Sequence, residues 1–251
     1  MSEAPITRPG WRALTPARIG LGRTGVSQTT ADNLSFAMDH ARARDAVHQP
    51  LDVERLVNEL GDAGPSALIV NSQATDRATY LTRPDLGARL DPRAAPELDT
   101  CPVRGADLAI VLADGLSSLS LHHAPAVLEH LTPQLLADGW RLAPLVIARQ
   151  SRVALGDEIG ERLGVAMVLV LIGERPGLSA ADGLGAYLTW SPEVGRTNAE
   201  RNCVSNIRPQ GLAPRDAAQT LYWLMTEARR RRLTGVQLKD QSGLRQISSS
   251  S

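Results

Sequence analysis

The chain has 251 residues, 43% of them hydrophobic, which suffices for one large domain or for one domain with a sizeable appendage. Its 27 basic and 27 acidic residues leave no net charge, so the overall field favours neither nucleic acid nor an anionic membrane. Four tryptophans, three tyrosines and one phenylalanine are too few for base-stacking platforms, and two distant cysteines, Cys101 and Cys203, make neither a disulfide scaffold nor a zinc site. No stretch approaches the roughly 20 apolar residues of a membrane span, and residues 1–10 lack the apolar core of a secretion signal, so a cytoplasmic protein is expected.

Residues 1–100 read as a mainly helical N-terminal region. Ser27 or Thr29 is placed to cap a helix running through Leu34, Met38, Ala41 and Ala46, with Arg42, Arg44 and Asp45 on its wet side and Pro50 at its end. Its polar-with-alanine surface over 33–47 leads us to expect packing on another chain as much as on its own. A second helix is predicted over 53–60, stopped by Gly61, and then a loop-rich passage with Pro65, Pro84, Pro92 and Pro96.

Residues 101–240 read as a separate domain of strands alternating with helices. The expected order is a strand over 108–113, a helix over 126–137, a strand over 142–148, a helix over 157–163 and a strand over 165–172. Such alternation implies right-handed βαβ crossovers and a Rossmann-like, mostly parallel sheet flanked by helices. Strand-like pieces at 184–190 and 203–207 precede a long helix from Pro214, whose Ala217, Ala218, Leu221, Leu224, Met225 and Ala228 form one apolar stripe. The four arginines at 229–232 read as the solvated end of that helix, where cations complement the dipole. Residues 241–251, ending in four serines, are expected to be a disordered tail.

The apolar run 165–172 stops abruptly at Gly173-Glu-Arg-Pro-Gly177, which places Glu174 at the carboxyl end of a buried strand, where open α/β sheets bind ligands. Pro176-Gly177 suits a type II turn with Gly177 at positive φ. Gly20-Leu-Gly22-Arg-Thr-Gly25 spells a dinucleotide fingerprint, but it lacks the preceding buried strand and an acidic residue ending a second strand, so it is set aside. Asp114-Gly-Leu-Ser-Ser118 follows a predicted strand; cap and turn is the expected role of its serines, with a nucleophilic Ser117 served by His122, His123 or His130 as the competing one. Asp157 and Glu158 are expected in a helix's first turn, and a lone Cys203 is ordinarily a small buried residue.

Four passages together resemble the small (light) subunit of ethanolamine ammonia-lyase: Tyr80-Leu-Thr-Arg-Pro-Asp-Leu-Gly87, Asp114-Gly-Leu-Ser117, Gly173-Glu-Arg-Pro-Gly-Leu178 and Cys203-Val-Ser-Asn-Ile207. The resemblance spans roughly residues 18–233. It implies a heteromeric lyase in which a large TIM-barrel subunit binds ethanolamine, hosts the radical chemistry and releases acetaldehyde and ammonia. The small subunit would close over adenosylcobalamin with a Rossmann-like domain, contributing no catalytic residue and being inactive alone. Cobalamin-contacting positions carried over by matching motifs are Val153, Glu174 and Cys203, with Ser151 standing where a glycine is frequent. No Asp-x-His-x-x-Gly signature is present, in keeping with a family that keeps the cofactor's own base on cobalt. The family also adds a bacterial microcompartment to the cytoplasm as an expected location. The competing reading is a free-standing α/β hydrolase or transferase using Ser117.

Overall fold

A computed structural model describes residues 17–63 and 66–241. Of the expected disordered tail over 241–251, residues 242–251 lie outside the described residues. The glycine-rich segment near the start forms a two-stranded antiparallel ribbon, β1 (Arg23–Thr24) and β2 (Ser27–Gln28), with Gly25 at φ +63° in its turn. It opens no βα unit, as the rejected fingerprint required. Ser27 lies in β2, so the cap of helix α1 (Thr30–His48) is Thr29, whose side chain accepts from the Asp32 N–H. Only Ala46 of α1 is buried. Asp52 caps α2 (Val53–Glu59) and Gly61 follows at φ +57°.

The passage read as loop-rich holds more structure than its prolines suggested. Leu68–Asn71 is a strand, β3, and three short helices follow: α3 (Arg77–Thr82), α4 (Pro84–Gly87) and α5 (Ala95–Asp99). Pro84 and Pro96 stand in the first turns of α4 and α5, where the missing N–H costs nothing, so here proline begins helices rather than ending them.

The remaining elements lie within two residues of their expected bounds except β5, which starts four residues late: β4 (Leu108–Ala113), α6 (Ala124–Ala137), β5 (Val146–Arg149), α7 (Leu155–Leu163), β6 (Met167–Gly173), β7 (Leu184–Trp190), β8 (Arg201–Ile207) and α8 (Pro214–Arg231). One sheet of order β3-β5-β4-β6-β7-β8 results, parallel through β6 and antiparallel at β7 and β8. The fold is therefore α/β with a Rossmann-like, mostly parallel sheet flanked by helices. Alternate residues of the central strands serve two cores. Leu108, Ile110, Leu112, Met167, Leu169 and Leu171 pack with α6 and α8, whose expected stripe is buried in full. Ala109, Val111, Ala113, Val168, Val170 and Ile172 pack with Leu155, Ile159 and Leu163 of α7. The smaller residues of that second face let α7 approach closely; Gly156 meets Val170 where a Cβ would come under 3.0 Å. Asp157 does more than favour the helix N-terminus, because it forms a buried ion pair with Arg201 that ties α7 to β8. Glu158 accepts from the Leu90 N–H at 2.9 Å. No helix among the described residues is long and apolar enough to cross a membrane.

Candidate ligand-binding site at the strand ends

Because β3, β4, β5 and β6 run parallel, the loops after them emerge on one rim. There, two glycines set how closely two turns can approach. Gly115, at φ +56°, would drive a Cβ into the Gly173 carbonyl, and Gly173 would drive one into the Ser117 carbonyl, both under 3.0 Å. With both positions bare, the Leu116 N–H donates to Gly173 O at 2.9 Å and the ends of β4 and β6 lock together.

Asp114 organises the next loop. Its buried carboxylate accepts from the Gln150 N–H at 2.9 Å and the Ser151 N–H at 3.0 Å, with the Arg77 guanidinium 3.6 Å away. Burial raises its pKa against those donors. Gln150 is thereby held at φ +53°, a conformation non-glycine residues rarely adopt, and the chain turns to present Arg152 and Val153. Tyr80 supports the same loop from below: its hydroxyl donates to Ser151 O at 3.0 Å while Arg77 and Arg152 lie 4.9 and 4.4 Å from its ring centre. Gly87 leaves the space that ring fills.

These loops enclose a cavity of about 450 Å³ lined by Tyr80, Gly115, Arg152, Val153, Glu174 and Tyr187, among others. Glu174 lies half-buried over Gly183 and Gly185, where added Cβ atoms would stand 3.0 Å from its carboxylate oxygens. Its Oε2 accepts from the Asn206 N–H at 3.2 Å, and Asn206 is itself at φ +56°. The structure thus brings two of the expected residues, Val153 and Glu174, into one cavity. Cys203 stands beside it, paired with Tyr187 in the β7–β8 register. Cys203 is exposed rather than the small buried residue expected, because β8 is an edge strand. Local desolvation nonetheless pushes its thiol pKa up, with Glu174 adding to the shift and Tyr187 opposing it. Tyr187, Tyr80, Arg152 and Asn206 were missed as site residues; Tyr80 was visible only as the head of a motif whose closing Gly87 accommodates it.

Other expectations fare differently. Gly177 is not at positive φ; the turn falls later, between Gly177 and Ala180, which exchange backbone hydrogen bonds of 2.8 and 3.2 Å. Ser117 stands at the N-cap position of the helical turn Ser118–His123, as expected, but its side chain makes no cap hydrogen bond there. Ser117 is fully buried and donates to Ala181 O at 2.8 Å, while Ser118 donates to Gln49 O at 2.9 Å. A hydroxyl so engaged is no nucleophile, which removes the hydrolase reading. His123 faces Asp182 at 3.2 Å, with burial and His122 lowering its pKa, and Arg208 stands 3.8 Å from the other Asp182 oxygen. His122, His123 and Asp182 sit close enough to suggest metal ligands, but Arg208 already balances the carboxylate. A larger groove of about 1010 Å³ along α6 is mainly apolar; His122 lines it, but Val153, Glu174 and Cys203 do not.

Sheet, rim and cavity together define a Rossmann-like α/β domain with an open cavity at the carboxyl ends of its parallel strands. The profile of the ethanolamine ammonia-lyase light chain (EutC) family matches residues 8–239, so the chain belongs to that family. It is 53% identical to the ethanolamine ammonia-lyase small subunit of Xanthomonas campestris pv. campestris strain B100, covering 96% of this chain and 92% of the relative. The small subunit of Azotobacter vinelandii is 52% identical over the same shares, and that of Pseudomonas fluorescens strain SBW25 is 50% identical over 95% and 87%.

Proposed function

We propose that this chain is the subunit of an ethanolamine ammonia-lyase that closes over adenosylcobalamin, while a larger partner subunit binds ethanolamine and converts it to acetaldehyde and ammonia. The observation that carries the reading is the rim cavity, where Val153 and Glu174 meet and Cys203 adjoins through Tyr187. The residues suit a corrin edge. That edge carries amide side chains, which donate to a carboxylate, and methyl groups, which suit Val153, Leu116 and Ile172. Glu174 uses one oxygen for the Asn206 N–H and keeps acceptor capacity for an amide. The volume suits a small ligand, not a whole corrin with its nucleotide loop, so this chain would cover one edge and its partner the rest. When bound, adenosylcobalamin supplies the radical that begins hydrogen transfer; the residues here orient it and exclude water.

A charge-assisted hydrogen bond contributes about 1.5–3 kcal/mol, so Glu174→Ala should weaken adenosylcobalamin binding to the assembled enzyme by roughly tenfold or more. Glu174→Gln should lose less, since it keeps an acceptor for the Asn206 N–H. Turnover at saturating cofactor should fall little in either variant. Titration into each apo-complex decides the matter: an unchanged apparent dissociation constant for Glu174→Ala, with subunit association intact, would sink the assignment. Deamination by the isolated chain would sink the division of roles.

A further inference from the structure

Helix α1 is 19 residues long and buries only Ala46, although Leu34 is 67% exposed and Met38 55%. In proteins most helical stability comes from packing an apolar face. At 100° per residue its apolar side chains fall into two opposed stripes. One holds Phe36, Ala43 and Val47, and the chain itself covers its start: the Arg18 guanidinium lies 5.0 Å from the Phe36 ring centre and pairs with Asp39. The other holds Leu34, Ala37, Met38 and Ala41, at i, i+3, i+4 and i+7, and all four are exposed. A helix with two apolar faces is built to be covered on both.

We infer that the Leu34–Ala37–Met38–Ala41 stripe is where the large subunit seats, so that α1 is an arm by which the small subunit grips its partner. The inference rests on the heteromeric reading above but not on its cofactor. Two observations select this occupant. The base of α1 joins the rim cavity: the Arg77 guanidinium donates to Val47 O at 2.7 Å and to Gly115 O at 2.8 Å, and Gly115 lines the cavity. A chain covering that cavity therefore lies beside the C-terminal end of α1, and the stripe begins roughly 9 Å further along the helix axis at Ala41. In addition, four such side chains offer on the order of 300 Å², well below the roughly 800 Å² per partner of a stable interface. A pair of α1 stripes from two copies of this chain falls short of that by itself.

The test uses the full chain, the separately purified large subunit and no cobalamin, with association measured by calorimetry and size-exclusion chromatography. Leu34→Glu with Met38→Glu should weaken association at least tenfold, and Leu34→Ala with Met38→Ala several-fold. Alanine raises helix propensity, so the second pair keeps α1 formed, which circular dichroism checks. Unchanged affinity in the alanine pair with the helix intact overturns the inference. So does a self-associated wild-type chain that the substitutions dissociate while large-subunit affinity stays the same, since a second copy then occupies the stripe. Failure of the wild-type chain to bind the large subunit at all removes the heteromeric reading and this inference together. Unaltered cofactor affinity in the Glu174 variants would remove only the cofactor reading.

Discussion

The sheet body and the α1 arm are built on opposite terms. In β4 and β6 every residue is buried, and each helix packed on them turns one stripe inward. In α1 one residue of 19 is buried, and the opposed stripes cancel any single inward face. The body carries its own reasons for folding, whereas the arm's apolar residues make sense only in company. The same division separates what each region does for the rim: the body shapes the cavity through Asp114, Gly115 and Gly173, and the arm meets it at its base, through the carbonyls of Val47 and of Gln49 just beyond the helix.

The sharpest way to break the contrast is to injure the body at a point where burial leaves no alternative. Asp157 and Arg201 have side chains 2% and 3% exposed, so neither can recover hydration if its partner is lost. Asp157→Ala leaves an uncompensated guanidinium between α7 and β8 and should cost about 3–5 kcal/mol, read as a lower urea midpoint. Loss of under 1 kcal/mol would mean that Arg196 O and Asn198, which also accept from Arg201, satisfy it alone.

The converse experiment removes the arm. Truncation should stop before Ala46, since Ala46 is buried and Val47 O and Gln49 O accept from Arg77 and Ser118. A chain lacking residues 1–42 should keep its thermal midpoint within about 3 °C while losing most of its affinity for the large subunit. A collapse of the midpoint would mean that α1 stabilises the body, and the two regions would then be one unit.

How far the sequence was legible follows the same line. The bounds of β4 and β7 and the whole stripe of α8 could be read directly, because uninterrupted apolar runs and a 3.6-residue period report burial. Strand β3 escaped because it has four residues and lies between prolines, and edge strands carry little pattern. At the rim, Glu174 was placed by the end of its strand, but Tyr80 acts across 71 residues of sequence and Asp114 across 36 and 37, and no local spacing encodes such partners. The positions of Gly115 and Gly173 were visible as motif glycines, yet their reason, two turns touching backbone to backbone, exists only in the folded chain.

The smallest effect should come from an exposed ionic contact on the body, comparable in kind to the arm's own. Glu200 accepts from the Thr197 N–H at 2.7 Å and the Thr197 hydroxyl at 2.9 Å, and pairs with Arg196 at 2.6 Å. Thr197's backbone N–H leads the causes, and together they hold its pKa down at about 2, against an ordinary 4.5. A carboxylate whose folded pKa is depressed lends stability above its ordinary pKa, and that contribution is lost as pH falls through about 4.5 towards 2. Solvent screens the group, so Glu200→Gln should lower the thermal midpoint at pH 7 by no more than about 2 °C. The gap between wild type and variant should narrow steadily below pH 4.5, because protonation converts the wild-type side chain into a neutral acceptor much like glutamine. Melts taken every half unit from pH 7 to pH 3 check the sign: a gap that widens on acidification would mean that the carboxylate is held at a raised pKa, and the cap at Thr197 would not be what orders the entry to β8.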